Sequence, residues 1–218
     1  MSGQQQLLRD IERELRATSR MIGRERFGER VMSAMRRVPR ETFVPENQRR
    51  SAFENAPLPI GCGQTISQPY IVALMTDLLD ADEQSVILEI GTGSGYQAAV
   101  LSQVVKQVYS VEIIETLSHR ARETLRSLDY DNVSCRCGDG YLGWPEHAPY
   151  DGILVTAATP EIPQPLIDQL KPDARLVIPV GAPFSYQELM VVEKDKAGAT
   201  HERAVLGVAF VPLTRREE

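Results

Sequence analysis

The sequence predicts an α/β protein built on a doubly wound, mostly parallel sheet, with helices on both faces and an antiparallel C-terminal edge. Three observations carry that expectation. From residue 85 onward, short runs rich in Val, Ile and Leu alternate with helix-length segments, the pattern of β-α-β units. The first run, Val86-Ile87-Leu88-Glu89-Ile90, passes directly into Gly91-Thr92-Gly93-Ser94-Gly95 and then into a helical segment. Residues 189–193 and 205–211 read as late strands with no helix between them, which suggests an antiparallel edge. One domain over residues 1–218 is expected, with residues 1–80 supplying helices and a functional loop packed on an α/β core of residues 81–218.

Residues 4–38 read as two helices. Leu7, Leu8, Ile11 and Leu15 fall at helical spacing, Val31, Met32, Met35 and Val38 do so again, and Pro39 ends the second. Residues 45–69 contain Pro57, Pro59, Gly61, Gly63 and Pro69 and read as a long irregular stretch. Its apolar and aromatic side chains, among them Phe53, Leu58 and Ile66, mark it as an ordered, functional loop. Residues 71–79 read as a short amphipathic helix. Strands are expected over 85–90, 108–112, 133–137, 150–156 and 175–180, and helices over 96–105, 117–128 and 163–170.

Composition narrows the function. The net charge is −6 and the pI about 5.3, whereas a phosphate-backbone binder carries a basic surplus, so no nucleic-acid partner is expected. The arginines concentrated in residues 9–50 read as solvated helix faces, with a basic rim for acidic peptides as the sharper alternative. Cys62, Cys135 and Cys137 are odd in number and far in sequence from His119, His147 and His201. Neither a disulfide framework nor a metal site is expected. Cys135 and Cys137 share one face of a strand as small apolar side chains. The N-terminus has no signal-peptide character, and no stretch approaches the roughly 20 apolar residues of a membrane span. A cytoplasmic monomer without a membrane partner is the expectation.

The glycine turn is the strongest motif. It sits at the carboxyl end of a strand, where doubly wound sheets bind ligands, and its glycines let the backbone approach one. The next strand ends in Glu112, an acid able to accept hydrogen bonds from both hydroxyls of a ribose. A dinucleotide fingerprint would place its third glycine at position 96, which is Tyr96. Glu89 would repel a pyrophosphate but suits the positively charged methionyl part of S-adenosylmethionine. Gly138-Asp139-Gly140 follows the third strand and faces the same crevice. Asp139 is placed to accept a hydrogen bond from the adenine amino group, although an ordinary Asp-Gly turn would look the same.

These residues match a family. Gly63-Gln64-Thr65-Ile66-Ser67-Gln68-Pro69-Tyr70, followed by Leu88-Glu89-Ile90-Gly91-Thr92-Gly93-Ser94-Gly95-Tyr96, resembles protein-L-isoaspartate O-methyltransferase. The match continues through Val108-Tyr109-Ser110-Val111-Glu112, Gly138-Asp139-Gly140, Ala148-Pro149-Tyr150-Asp151, Asp168-Gln169-Leu170-Lys171 and Phe210-Val211-Pro212-Leu213-Thr214. The resemblance implies a Rossmann-like methyltransferase fold and methylation of L-isoaspartyl carboxylates in damaged proteins and peptides. S-adenosylmethionine would be the donor and S-adenosylhomocysteine the product. It implies Ser67 as the active-site hydroxyl, with Thr65, Ile66 and Thr214 beside the substrate. Cofactor contacts are implied for Ser67, Gly91, Glu112, Asp139 and Gly140, and Glu89, Thr92, Gly93 and Gly95 join them as members of the glycine motif. Two departures stand out. Asp173-Ala174 replace a frequent Gly-Gly, and Tyr70 stands where some relatives have histidine.

The chemistry asks little of the protein. A carboxylic acid with an ordinary pKa of about 4 is already ionised at neutral pH, so no strong base is needed. Alignment of the reactants and exclusion of water carry the reaction. Ser67 would orient the carboxylate by a hydrogen bond; it is also well placed to cap the following helix. Residues 45–69 and 205–214 are candidate walls of a peptide groove. The competing readings are a small-molecule or RNA methyltransferase, a non-catalytic cofactor-binding module and a nicotinamide oxidoreductase. The residues 64–70 run, the intact acids with Ser67, and Tyr96 weigh against these in turn.

Overall fold

The protein is described by a computed structural model that covers residues 2–182 and 185–215. It opens with helices α1 (Gly3–Ile22) and α2 (Glu29–Arg37). Ser2 caps α1: its hydroxyl accepts the Gln5 N–H at 3.3 Å, and Gln5 Oε1 accepts the Ser2 N–H in return. Leu7, Ile11, Leu15 and Ile22 form the buried stripe of α1. A short hairpin follows, β1 (Leu58–Gly61) and β2 (Gln64–Ile66), and then α3 (Pro69–Leu78). The α/β part comprises β3 (Val86–Ile90), α4 (Tyr96–Ser102), β4 (Gln107–Glu112), α5 (Glu115–Ser127), β5 (Val133–Cys137) and β6 (Tyr150–Val155). It ends with α6 (Gln164–Asp168), β7 (Leu170–Val180), β8 (Gln187–Lys194) and β9 (Thr200–Val208).

The seven-stranded sheet has the order β5-β4-β3-β6-β7-β8-β9. Strands β3 to β7 run parallel, and β8 and β9 add an antiparallel edge. The chain builds outward from β3 through β4 to β5, then returns to place β6 on the other side of β3. That reversal opens a crevice at the carboxyl ends of β3 and β6. Along β3 the faces alternate. Ile87 packs with the cluster that holds α1 to α5, while Leu88 and Ile90 pack with Leu166 of α6 on the other side. Among the described residues no helix is long and apolar enough to cross a membrane.

Four expectations change. The stretch read as irregular contains a 3-10 turn at Glu46–Ser51 and the hairpin pairing Leu58 with Ile66. Strands this short, one interrupted by Pro59, are too brief to display a period of two. Helix α3 is buried on all sides rather than amphipathic, with every one of its ten residues buried, because α1, α2 and α4 surround it. Strand β7 begins at Leu170, ahead of Asp173, which takes φ +60. The arginine-rich segment is not all solvated: Arg40 is completely buried.

Candidate active site

The glycine turn is held from both flanks. Gly91 N–H donates to the Val111 carbonyl at 2.8 Å, and Gly95 N–H to the Thr92 carbonyl at 2.8 Å. Gly91 has φ +93, and a Cβ there would lie 2.4 Å from Thr156 Oγ1. Thr156, just past the end of β6, donates to the Gly91 carbonyl at 2.6 Å. Glycine is therefore required by conformation and by space. Across the crevice, a Cβ on Gly140 would meet Ile90 Cγ2 at 2.4 Å. Both glycines line one cavity.

Glu112 lines that cavity, its two oxygens accepting the N–H groups of Gly93 at 2.8 Å and Ile114 at 2.9 Å. Each carboxylate oxygen has a second lone pair, so the group retains capacity for ligand hydroxyls. Behind the loop lies a buried polar chain. Thr92 Oγ1 and Ser110 Oγ are 2.5 Å apart, and Ser110 donates to Glu89 Oε2. Glu89 is fully buried, its other oxygen has no partner, and burial raises its carboxyl to about 8, with Ser110 opposing the shift and Glu112 adding to it.

The other wall comes from β2 and the segment after it. Thr65, Ile66 and Ser67 line the cavity. Thr65, Ser67 and Thr156 also line a neighbouring groove bounded by Pro57 on one side and residues 206–211 on the other. Ser67 thus stands where cavity and groove meet. It does not cap α3: Gln68 takes the N-cap position. Arg40 holds this wall from beneath. Its guanidinium donates to the carbonyls of Ala52 at 2.7 Å, Glu54 at 3.1 Å, Ala56 at 2.8 Å and Ser67 at 3.2 Å. Desolvation lowers its pKa to about 10. The C-terminal segment closes the far side. Ala158 N–H donates to the Val211 carbonyl and Leu213 N–H to the Ala158 carbonyl, both at 2.8 Å, which brings Thr214 to the cavity.

Of the residues singled out in the sequence, the cavity brings together Thr65, Ile66, Ser67, Gly91, Thr92, Gly93, Glu112, Gly140 and Thr214. Three lie outside its lining. Glu89 is beneath the floor. Gly95, at φ +90, caps α4 against Leu125 and Ala121. Asp139 caps the turn at Gly140–Leu142 by accepting the Tyr141 N–H at 2.9 Å, and it faces an adjoining hollow with Glu161 and Arg215. Thr156 was missed, although its place at the end of a parallel strand is the available signal. Arg40 carried no such signal.

A reversed parallel sheet, a glycine turn at its switch point and an antiparallel edge constitute a Rossmann-like methyltransferase fold. The family model for protein-L-isoaspartate(D-aspartate) O-methyltransferase matches residues 16–218. The chain belongs to that family. It is 61% identical over 208 residues to a protein-L-isoaspartate O-methyltransferase 2 of Syntrophobacter fumaroxidans, covering 95% of this chain and 84% of that one. A protein of the same description from Nitrosococcus oceani is 60% identical, covering 100% and 99%. Among solved structures, a protein-L-isoaspartate O-methyltransferase superposes with a TM-score of 0.83 at 28% identity, covering 96% of this chain and 65% of that chain. The protein therefore spans just under two thirds of that structure's length. A Plasmodium falciparum protein solved in complex with S-adenosyl-L-homocysteine shares the fold, with a TM-score of 0.80 at 23% identity, covering 99% and 100%.

Proposed function

We propose that the protein transfers a methyl group from S-adenosylmethionine to the side-chain carboxylate of L-isoaspartyl residues in damaged proteins and peptides. S-adenosylhomocysteine is released, and the ester starts repair through a succinimide. One observation carries this reading: Ser67 lines both the glycine-loop cavity and the adjoining groove. A donor held in the first and a peptide held in the second would meet at its hydroxyl.

The cavity fits the donor. Gly91 and Gly140 leave backbone uncovered where any side chain would collide with Thr156 or Ile90. Gly91, Thr92 and Gly93 would contact the methionyl end, Glu112 the ribose hydroxyls, and Gly140 with Asp139 the adenine. Glu89 would act through Ser110 and Thr92 rather than by contact. S-adenosylmethionine supplies an activated methyl group on a sulfonium. The protein's own part is placement. Ser67 orients the acceptor carboxylate by a hydrogen bond, with Thr65, Ile66 and Thr214 beside it, and the walls exclude water. No general base is needed, because the acceptor is ionised at neutral pH.

The groove between Pro57 and residues 206–211 supports an extended peptide as acceptor, and the net charge of −6 supports a protein rather than a nucleic-acid substrate. The same reading holds the chain to be one catalytic domain, acting as a monomer in the cytoplasm. The test is methyl transfer from labelled S-adenosylmethionine to two synthetic peptides that differ only in L-isoaspartate or L-aspartate. Base-labile label on the isoaspartyl peptide alone is the expected result, and equal labelling of both would reject the substrate assignment.

A further inference from the structure

Helix α1 reaches the groove through one acid. Glu14 lines it together with Ser67, Gln68 and Tyr186. Glu14 Oε2 accepts the Gln68 Nε2–H at 2.9 Å and the Asn55 Nδ2–H at 2.7 Å. Gln68 is the chain neighbour of Ser67, so this carboxylate stands one residue from the point where groove and cavity meet. Its position is fixed a turn further along α1, where the Thr18 hydroxyl lies 2.5 Å from the buried Tyr70 hydroxyl. Most of α1 precedes residue 16, where the match to the family model begins.

Among the described residues that line this groove, Glu14 is the one with a charged side chain, and none is basic. Past Glu14 the surface continues into a second hollow bearing Asp10 and Glu54. The one cation among the described residues of that hollow, Arg13, is engaged by Asp10 at 2.5 Å. A peptide leaving Ser67 in this direction therefore meets negative charge, with no lysine and no unengaged arginine among the described residues that line the two hollows.

We propose that Glu14 is a specificity-determining residue, selecting isoaspartyl peptides with a basic side chain close to the damaged residue and disfavouring acidic ones. This rests on the isoaspartyl methylation reading above. An extended peptide advances about 3.3 Å per residue, so the position read by Glu14 lies about one to three residues from the isoaspartate. The effect is that of a solvent-accessible charge pair, modest and sensitive to salt.

The experiment compares isoaspartyl peptides that are identical except for Lys, Gln or Glu placed in turn at each neighbouring position. Wild-type enzyme is expected to favour Lys over Glu in kcat/KM by about two- to tenfold at the position read, chiefly through KM. The preference should shrink as NaCl is raised. In Glu14→Gln the Lys-to-Glu ratio should fall to near one, whatever happens to the rate on the Gln peptide, and in Glu14→Lys it should invert. A wild-type ratio near one at every position, or a ratio unchanged in Glu14→Gln, overturns the inference. Absence of methylation on every isoaspartyl peptide rejects the activity itself, and this inference with it; methylation without charge discrimination rejects this inference alone.

Discussion

The Arg40 guanidinium donates a 3.2 Å hydrogen bond to the carbonyl oxygen of Ser67 while remaining fully buried. The same group holds three carbonyls of residues 52–56, and its carbon lies 5.9 Å from the ring centroid of Tyr96, a cavity-lining residue. Arg40 is therefore a positioning residue that ties the Ser67 wall to the cofactor side. Arg40→Met would leave those carbonyls unpaired and is expected to cost about 3 kcal/mol or more in urea denaturation. Arg40→Lys keeps a cation but lacks the planar fork. It should fold and raise the peptide KM more than it lowers kcat. A change in stability with no change in KM would limit Arg40 to folding.

Ser67→Ala removes the hydroxyl at the junction of cavity and groove. Loss of one hydrogen bond to a charged group predicts about a 10- to 100-fold fall in kcat/KM. S-adenosylhomocysteine affinity, measured by calorimetry, should change much less. An equal loss in both would mean that Ser67 serves mainly the cofactor.

Gly91→Ala should cripple cofactor binding, because the new Cβ would lie 2.4 Å from Thr156 Oγ1 on a backbone at φ +93. At least a tenfold rise in the S-adenosylhomocysteine Kd is expected. Adding Thr156→Ala relieves the collision but not the backbone strain of a few kcal/mol at most. Partial recovery of affinity in the double variant is the outcome that separates the two causes.

Glu89 makes stability depend on pH. Its folded-state carboxyl is raised by burial from 4.5 to about 8, so between those values the folded state holds a proton that the unfolded state has released. Stability should therefore fall as pH rises through this window, by up to about 1.4 kcal/mol per pH unit for one proton. Glu89→Gln removes this contribution. Denaturation series at several pH values should give a flatter profile for the variant than for the wild type. Identical slopes would show that Glu89 does not titrate in this range.

Tyr70 faces α1 and not the cavity. Its hydroxyl lies 2.5 Å from that of Thr18, which is also 2.9 Å from the Glu14 carbonyl. Tyr70→Phe should cost about 1 kcal/mol of stability, with kcat on a neutral isoaspartyl peptide little altered. A large fall in kcat would instead tie the anchoring of α1 to the chemistry.

Much of the protein was legible in its sequence because its signals are local. The parallel core announces itself through buried runs such as Val86–Ile90, and the glycine turn through residues whose backbone conformations few others adopt. The family run around Ser67 and the placement of Glu112 at a strand end were equally readable in one dimension. The rest depended on contacts between distant segments. Nothing near Arg40 in sequence distinguishes it from its solvated neighbours; its burial arises because carbonyls from residues 52–56 and 67 converge on it. Glu89 read as part of the glycine motif; its burial beneath the loop against Ser110 was decided by the pairing of β3 with β4. Asp139 and Gly95 read as contacts, and each also holds a turn or helix start, because which backbone amide or neighbouring helix each meets is set by packing. Glu14 belongs to a surface helix by pattern and to the groove because the apolar stripe of α1 and the Thr18–Tyr70 contact dock that helix. Sequence periodicity determines which face of an element is buried; which partner that face meets is decided when the elements close on one another, because a side chain's environment is the sum of contacts made across the chain.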